Sequence, residues 1–217
     1  MNRAEGLDRT RSHVRAALER DSSGHDWWHT HRVVRTALAI AGEEGADPYI
    51  VELAALLHDL ADWKFSGGDE TAGPRAARDW LEGLGVDPIT VDHVCRIVGG
   101  VSFKGAGVPT PMATREGDCV QDADRLDALG AIGIARAFAY GAIKGSPLHD
   151  PYAQPRFHGS FQEYRSAAGA TTAHFHEKLF LLKDRMNTAA GRRVAEERHS
   201  YMEGYLARFL AEWDGKA

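Results

Sequence analysis

Two side chains suited to metal binding, His58 and Asp59, follow a largely apolar run over residues 51–57. If this run is helical, packing buries the pair, and a buried charge without a partner is costly. A cation is therefore the natural partner. The dipeptide alone proves little, but His29 upstream and Asp124 downstream each lie in a separate predicted helix. Together the four residues would form a metal site of two histidines and two carboxylates.

Helical geometry separates the histidines near the amino terminus. A helix advances about 100° per residue. The residues that share a face with His29 are all apolar: Val33, Ala37 and Ile40. His31 instead lines up with Arg35, so we predict that His29 is the ligand and that His31 is a more exposed neighbour. His25 precedes or opens this helix, and the pattern leaves open whether it contacts the metal.

Asp124 lies in an aspartate-rich segment, residues 118–129. Helical spacing aligns it with small or apolar side chains: Val120, Ala128 and Ala131. This alignment predicts that Asp124 points inward. Asp127 lies near the same face, which leaves open whether it touches the metal or supports a ligand. Nitrogen and carboxylate ligands suit a borderline divalent ion better than calcium. We expect a divalent ion: manganese, iron, cobalt, nickel, zinc or magnesium.

A divalent ion at this site predicts hydrolytic chemistry at phosphorus. Such an ion turns water into a nucleophile near neutral pH and withdraws charge from a phosphoryl oxygen. Asp62, one helical turn after Asp59, is placed to orient the water or take its proton. We therefore assign His58, Asp59 and Asp62 to catalysis. The candidate phosphate contacts nearby in sequence are Arg32, Lys64 and Lys104.

The elements that carry these residues are predicted to be helices, because apolar residues recur at helical rather than alternating spacing. Asp47-Pro48 and Asp87-Pro88 are typical helix starts, and Gly45 and Gly85 are typical helix ends. The sequence predicts an all-α fold with helices at about 8–20, 28–44, 48–62, 70–84, 88–99, 113–140 with a break near Gly130 or Gly133, 160–187 and 190–213.

Three loops connect the predicted helices, over residues 64–69, 99–111 and 141–159. The third is long enough to be a lid or substrate loop. We find no repeat, low-complexity tract or linker, so we expect one domain over residues 1–217. Its motif core covers about 20–140, and a helical extension covers about 160–214.

Composition excludes several classes of function. A net charge of −5 argues against polymeric nucleic acid as a partner, but not against a small nucleotide. The two cysteines, Cys95 and Cys119, form no CxxC pattern, which fits a reducing compartment. We see neither a secretion signal nor a run of about 18 apolar residues. We therefore expect a cytoplasmic protein that acts without a membrane, and a homo-oligomer is compatible with these features.

The order of the motifs resembles the HD-domain metal-dependent phosphohydrolase superfamily. The matching pattern is His29-x-x-Arg32-Val33, then His58-Asp59, then Ala123-Asp124-Arg125-Leu126. All three segments in order are far more specific than any one of them. Longer stretches resemble the bacterial YedJ/YpgQ-like subgroup: SGHDWWH at 23–29, HDLADWKF at 58–65, VSFKG at 101–105, QDADRLDA at 121–128 and HFHEKL at 174–179.

This resemblance implies an HD-domain helical bundle with additional carboxyl-terminal helices. It also implies that His29, His58, Asp59 and Asp124 hold the metal and that the substrate is a nucleotide. The expected substrates are nucleoside or deoxynucleoside triphosphates, cleaved between the α and β phosphates to release pyrophosphate, and release of a single phosphate is the alternative. Asp62 occupies the place of an acidic catalytic residue of related nucleotidases. Only His93 is available where two-metal relatives supply further histidines, so the resemblance implies one metal.

Two further residues and three alternative functions complete the sequence-based hypothesis. His174 and Lys178, separated by one turn of the predicted carboxyl-terminal helix, are candidate substrate contacts. A 5′-nucleotidase and an alarmone hydrolase share the same metal chemistry. A nucleotide sensor without catalysis would keep the site for binding alone. The intact ligand set together with Asp62 favours an enzyme, since a binding protein needs no activated water.

Overall fold

A computed structural model describes residues 2–19, 26–61, 69–157, 159–160, 162–163 and 169–217. These residues form α-helices joined by turns and short 3₁₀ segments, with no β-strand among them. The all-α prediction is therefore confirmed. No single helix in the described ranges combines the length and the apolar composition needed to cross a membrane. The consecutive helices 115–127 and 130–143 meet that criterion only when they are counted together.

The described α-helices are, in chain order, α1 (Arg3–Leu18), α2 (Trp27–Glu44), α3 (Pro48–Leu57), α4 (Ala72–Gly83), α5 (Pro88–Gly100), α6 (Arg115–Asp127), α7 (Gly130–Ile143), α8 (Thr171–Glu177) and α9 (Ala189–Trp213). The chain divides into two compact units. Unit one comprises Met1–Ser102 and Thr110–Asp124, and unit two comprises Phe103–Pro109 and Arg125–Ala217. The expectation of one functional domain over the whole chain stays a prediction.

Helix α3 is the centre of unit one, where it packs against α1, α2 and α5. Every residue from Val51 to Leu57 is buried, including Glu52, which forms an ion pair with Arg11 of α1. A helix that is apolar all round is typical of a core element surrounded by others. Helix α3, which leads directly to His58, is therefore held in place by the helices that surround it.

The predicted helix starts and stops in unit one are confirmed. The Asp47 side chain accepts a hydrogen bond from the backbone N–H of Tyr49, and Asp87 accepts one from that of Thr90. Gly45 ends α2 with φ = 69°, and Gly85 follows α4 with φ = 70°. Glycine adopts this left-handed conformation without steric cost. These caps fix where the site-bearing helices begin and end.

Two predicted helices were too long, and one predicted break is confirmed. The helix predicted over 48–62 ends at Leu57, and residues 58–61 form turns. The segment predicted as one helix over 160–187 contains α8, which ends at Glu177, and two 3₁₀ turns. Apolar spacing continues through both of these segments, so periodicity alone did not reveal where the helices end. The break predicted near Gly130 or Gly133 lies between α6, which ends at Asp127, and α7, which begins at Gly130 with φ = 71°.

Unit two has an aromatic core formed by α7, α8 and α9. The Phe175 ring of α8 is fully buried and stacks on Tyr205 of α9, with ring centroids 6.4 Å apart. Phe138 of α7 lies 6.1 Å from Phe175 on the same measure. Aromatic pairs at these separations add stability beyond the area they bury. They join the carboxyl-terminal helices into one folded body.

Gly133 allows the chain to turn closely at the start of α7. A Cβ atom at this position would lie 2.2 Å from the carbonyl oxygen of Ala128. We expect Gly133→Ala to destabilise the protein by about 2 kcal/mol, because the backbone must move to relieve this overlap. Differential scanning calorimetry should show Tm lower by about 6 °C.

Gly42→Ala is the matched control, because Gly42 is helical and a Cβ atom there meets nothing within 4 Å. Alanine is the better helix former, so Tm should stay the same or rise slightly. An unchanged Tm in Gly133→Ala would show that the close approach to Ala128 is not required.

Both cysteines are buried components of unit one. Cys119 on α6 is fully buried, and the Sγ atom of Cys95 on α5 lies 3.4 Å from the carbonyl oxygen of Pro74. Burial raises the pKa of the Cys95 thiol and raises that of Cys119 to about 12. Both side chains therefore remain protonated thiols at neutral pH and serve as core residues.

Candidate metal centre

His29 lies two residues into α2 with its side chain in the interior of unit one. The Asp26 carboxylate caps this helix by accepting a hydrogen bond from the His29 backbone N–H at 2.8 Å. The imidazole is 0% exposed, and the apolar residues on the same face, Val33, Ala37 and Ile40, are also buried. The predicted inward direction of His29 is confirmed, and His31 is partly exposed as expected.

His58 and Asp59 occupy the turn directly after α3. The His58 ring has its Nδ1 atom 2.8 Å from the carbonyl oxygen of Ala55. A carbonyl oxygen can only accept, so Nδ1 carries a proton and donates it to this bond. In the neutral ring the Nε2 atom then presents a lone pair. The backbone of α3 thus sets both the tautomer and the orientation of the ring, as is typical for a metal-ligating histidine.

The Nε2 atoms of both histidines converge on the same carboxylates. They lie 3.3 Å from each other, and each lies 3.3 Å from Oδ2 of Asp59. Oδ1 of Asp124 is 3.4 Å from Nε2 of His29 and 3.9 Å from Nε2 of His58. Three chain segments, α2, the turn after α3 and α6, therefore deliver four potential ligand atoms to one small volume of unit one.

Asp124 is the most accessible of the four side chains. Its side chain is 24% exposed, whereas that of Asp59 is 6% exposed. The helical alignment predicted for Asp124 was wrong at one position, because Ala131 belongs to α7 and is exposed. The break after Asp127 removes Ala131 from the face that Asp124 shares with buried Val120. The partial exposure of Asp124 leaves one side of the cluster open to solvent.

The electrostatics of the cluster favour positive charge. Burial lowers the pKa of the His58 imidazole, but the negative charges and hydrogen bonding of Asp59 and the charge of Asp124 outweigh burial and raise it. Burial likewise raises the pKa of the Asp124 carboxyl, but the hydrogen bond from His29 and the charges of His58 and His29 lower it well below its usual range. One buried and one partly buried carboxylate beside two buried imidazoles thus favour a bound cation.

The donor set fits a divalent metal ion. Ligand atoms of His29, His58 and Asp59 all lie within 4.8 Å of one another, and all three residues are buried. Imidazole nitrogens and carboxylate oxygens are the ligands that borderline divalent metals prefer. The ring orientation imposed by Ala55 and the low pKa of Asp124 both keep ligand atoms available. The cluster therefore could hold such an ion.

Comparison with known proteins identifies the family of this chain. The HD domain family matches residues 27–129, which include all four cluster residues. YpgQ of Bacillus subtilis is 41% identical over 217 residues, which cover 99% of this chain and 97% of YpgQ. This chain belongs to the HD-domain family. Its predicted relationship to the YpgQ-like subgroup of HD-domain proteins is confirmed as well.

Solved structures of other HD-domain proteins and relatives share the fold over nearly the whole chain. An HD-superfamily hydrolase from Bacillus thuringiensis is 43% identical, with a TM-score of 0.76 over 98% of this chain and 99% of that one. A protein from Lactobacillus plantarum is 33% identical, with a TM-score of 0.86 over 99% and 100%. YpgQ, whose structure is known in complex with ADP, is 38% identical in sequence to this chain in the structural match. The TM-score is 0.71, and the match covers 95% of this chain and 96% of that one. These relationships support hydrolase activity in general.

Three residues predicted for the HD-domain site, His25, Asp62 and Lys64, lie outside the described residues. The prediction for Asp62 assumed that the helix continued one turn past Asp59. Because α3 ends at Leu57, that spacing argument no longer applies. The assignment of Asp62 to proton transfer therefore stays a prediction that rests on its place in the HD-domain motif.

The other predicted phosphate contacts lie in different units. Arg32 is partly exposed on α2 of unit one. Lys104, His174 and Lys178 belong to unit two. The prediction that His174 and Lys178 share one long helix was wrong, because α8 ends at Glu177 and Lys178 has non-helical backbone angles. Their roles in substrate binding stay predictions.

Asp127 and His93 already have protein partners. Oδ2 of Asp127 accepts a hydrogen bond from the Arg136 guanidinium at 2.7 Å. In unit one, Nε2 of His93 lies 2.9 Å from Oγ1 of Thr114 and 3.6 Å from Oε2 of Glu116. Asp127 and His93, two of the residues that the sequence offers as further ligands, are thus engaged by other side chains. One metal ion per chain therefore remains the expectation.

Sequence reasoning missed the polar residues that surround Asp124 on α6. Gln121 and Asp122 are both 0% exposed, and Arg125 is buried too. The Gln121 side chain donates hydrogen bonds to the carbonyl oxygens of Gly100 and Thr110, each at 2.9 Å. It thereby joins α6 to both ends of the intervening loop. The sequence did contain a signal, because residues 121–127 include more polar side chains than the solvent-facing side of one amphipathic helix can hold, so that some of them must be buried.

Proposed function

We propose that this HD-domain hydrolase cleaves nucleoside or deoxynucleoside triphosphates, with one divalent metal ion held by His29, His58, Asp59 and Asp124. The observation that carries the proposal is the convergence of the two Nε2 atoms and two carboxylates, with the His58 ring fixed by Ala55. The YpgQ structure with ADP supports a nucleotide as the ligand. A divalent ion bound there would supply an activated water nucleophile and neutralise charge on a phosphoryl oxygen.

The residues of the chain prepare the site for this chemistry. The Ala55 carbonyl holds the proton on Nδ1 of His58, which keeps Nε2 available as a ligand. Asp26 fixes the first turn of α2 and so positions His29. The buried surroundings of His29, His58 and Asp59 exclude bulk water and strengthen their electrostatic interactions. The solvent-facing side at Asp124 is where we place the access of substrate.

The phosphates need positive charge in addition to the metal. We assign Arg32, one turn after His29 on α2, to the contact with a phosphate oxygen, since its guanidinium can donate two parallel hydrogen bonds. We retain Lys64, Lys104, His174 and Lys178 as further candidates. Asp62 is the proposed proton acceptor for the attacking water.

A nucleotide panel tests this function. Purified protein with Mn²⁺ should hydrolyse the ribo- and deoxyribonucleoside triphosphates at about 1 s⁻¹ or faster. Ion-exchange chromatography of the nucleotides, with separate assays for phosphate and pyrophosphate, identifies the bond that is cleaved. Nucleoside monophosphates and guanosine tetraphosphate belong in the panel, because their selective hydrolysis would replace the proposal by a 5′-nucleotidase or an alarmone hydrolase. Binding of triphosphates without turnover, under Mn²⁺, Co²⁺, Ni²⁺, Zn²⁺ and Mg²⁺ alike, would establish a sensor instead.

A further inference from the structure

Trp28 is an exposed tryptophan in the first turn of α2, directly before the proposed metal ligand His29. It is 58% exposed, whereas Trp27, the residue before it, is only 7% exposed. Within the described part of unit one, the one other large apolar residue with as much exposure is Ile89 on α5. Packing of α2 against the core accounts for the buried ring of Trp27. It leaves the exposed ring of Trp28 available for another contact.

The Trp28 ring keeps most of its surface accessible. The ring centroids of Trp28 and His31 lie 5.8 Å apart, with the ring planes at 82°, so the two rings meet edge to face. Trp28 remains 58% exposed beside this neighbour. An accessible indole is the kind of surface on which a nucleobase stacks, and such stacking needs no hydrogen bond between protein and base.

Three side chains of α2 stand in the order that a nucleotide has along its length. A helix advances about 100° per residue, so Arg32 lies about 40° from Trp28 and about 60° from His29, between the two. Exposure follows this order, because His29 is buried, Arg32 is partly exposed and Trp28 is exposed. Trp28 and His29 also share the first turn, and helical side chains tilt toward the amino-terminal end. Both side chains therefore extend toward the same end of α2.

We propose that Trp28 binds the substrate by stacking on its base. The inference rests on the proposed function, because it takes phosphates at the metal ligand His29 and at Arg32 as its starting point. It uses residues of unit one alone. Every nucleobase has a π-face, so purine and pyrimidine triphosphates should both be accepted. The purines should bind more tightly, because their larger ring system covers more of the indole.

Replacing Trp28 with alanine should weaken binding of the base and leave binding of the phosphates unchanged. KM for dATP should rise about 20-fold, since stacking on an aromatic side chain contributes an effect of this size. The value of kcat should change less than about twofold, because the stack is present equally in the ground and transition states. Inorganic tripolyphosphate carries no base, so its inhibition constant should stay within about twofold of the wild-type value. Trp28→Phe keeps an aromatic ring and should hold KM within about fourfold.

Trp213→Ala is the matched control. Trp213 is 50% exposed on α9 of unit two, so this variant removes an equally exposed indole, and its kinetics should match the wild type. An equal rise of KM for dATP and of the inhibition constant for tripolyphosphate in Trp28→Ala would show that Trp28 supports the folded site instead of the base. That result, or a wild-type KM in Trp28→Ala, would overturn the inference.

Tryptophan fluorescence separates this inference from the proposed function, since it requires no turnover. ADP added with Mn²⁺ should quench the emission of the wild type, and inorganic pyrophosphate should not, because only ADP has a base to stack on indole. In Trp28→Phe the quenching by ADP should fall to less than half, and full quenching there would overturn the inference. Absence of triphosphate turnover in a wild type whose emission is still quenched through Trp28 would refute the proposed function alone.

Discussion

Replacing His58 with alanine should abolish metal binding and triphosphate hydrolysis while leaving the far-ultraviolet circular-dichroism spectrum unchanged. His58 contributes one of the two nitrogen atoms of the cluster, and its Nε2 atom lies within 3.9 Å of each of the other three ligand atoms. Loss of the nitrogen leaves too few ligands to hold the ion, and loss of the ion removes several kcal/mol of transition-state stabilisation. We therefore expect kcat/KM to fall by at least about 1000-fold.

The helices should survive this change because His58 lies after the end of α3, and Ala55 loses only a side-chain partner. Elemental analysis of the purified variant should find less than about a tenth of an ion per chain, against about one in the wild type. His31→Ala is the matched control, since His31 is partly exposed and its position on α2 is on a different face of the helix from His29, and it should keep both metal and activity. Wild-type turnover by His58→Ala would remove the cluster from the reaction.

Addition of Mn²⁺ to the metal-free protein should raise its Tm by about 10 °C. An ion that binds only the folded state at a thousandfold excess over its Kd stabilises that state by about 4 kcal/mol. For a chain of 217 residues, this free energy corresponds to a shift of about 10 °C. The effect should be large because the charges of Asp59 and Asp124 repel each other in a largely buried cluster, and a cation compensates both charges.

Two variants show whether this stabilisation comes from the cluster. Asp124→Asn removes one negative ligand without changing the shape of the side chain, so the shift in Tm should shrink to less than half. Asp184→Asn removes an 80% exposed carboxylate of unit two and should retain the full shift. Equal shifts in both variants, measured by scanning calorimetry, would mean that Mn²⁺ acts elsewhere on the protein.

The sequence predicted the metal cluster better than its surroundings. His29 and Asp124 could be placed because each is the polar member of an otherwise apolar helical face, and such a face packs inward. The helix starts at Asp47 and Asp87 were also predictable, because capping is a local interaction between neighbouring residues. These features depend on the spacing of residues within one helix, and this spacing can be read directly from the sequence.

The features that the sequence did not reveal depend on contacts between distant segments. The end of α3 at Leu57 has no glycine or proline to mark it, and its apolar pattern continues into Leu60. Ala55 orients the His58 ring through its backbone carbonyl, and the pattern of side chains in the sequence does not predict such a contact. Arg125 and Arg185 are 60 residues apart, and nothing in local spacing links a guanidinium to the carbonyl it binds.

A crystal structure of the protein grown with Mn²⁺, with anomalous diffraction data collected to locate manganese, tests directly whether the four side chains bind a metal. We expect an anomalous peak at about 2.0–2.3 Å from Nε2 of His29 and His58 and from a carboxylate oxygen of Asp59 and Asp124. A manganese peak elsewhere, with these four side chains bound only to one another at saturating Mn²⁺, would contradict this expectation.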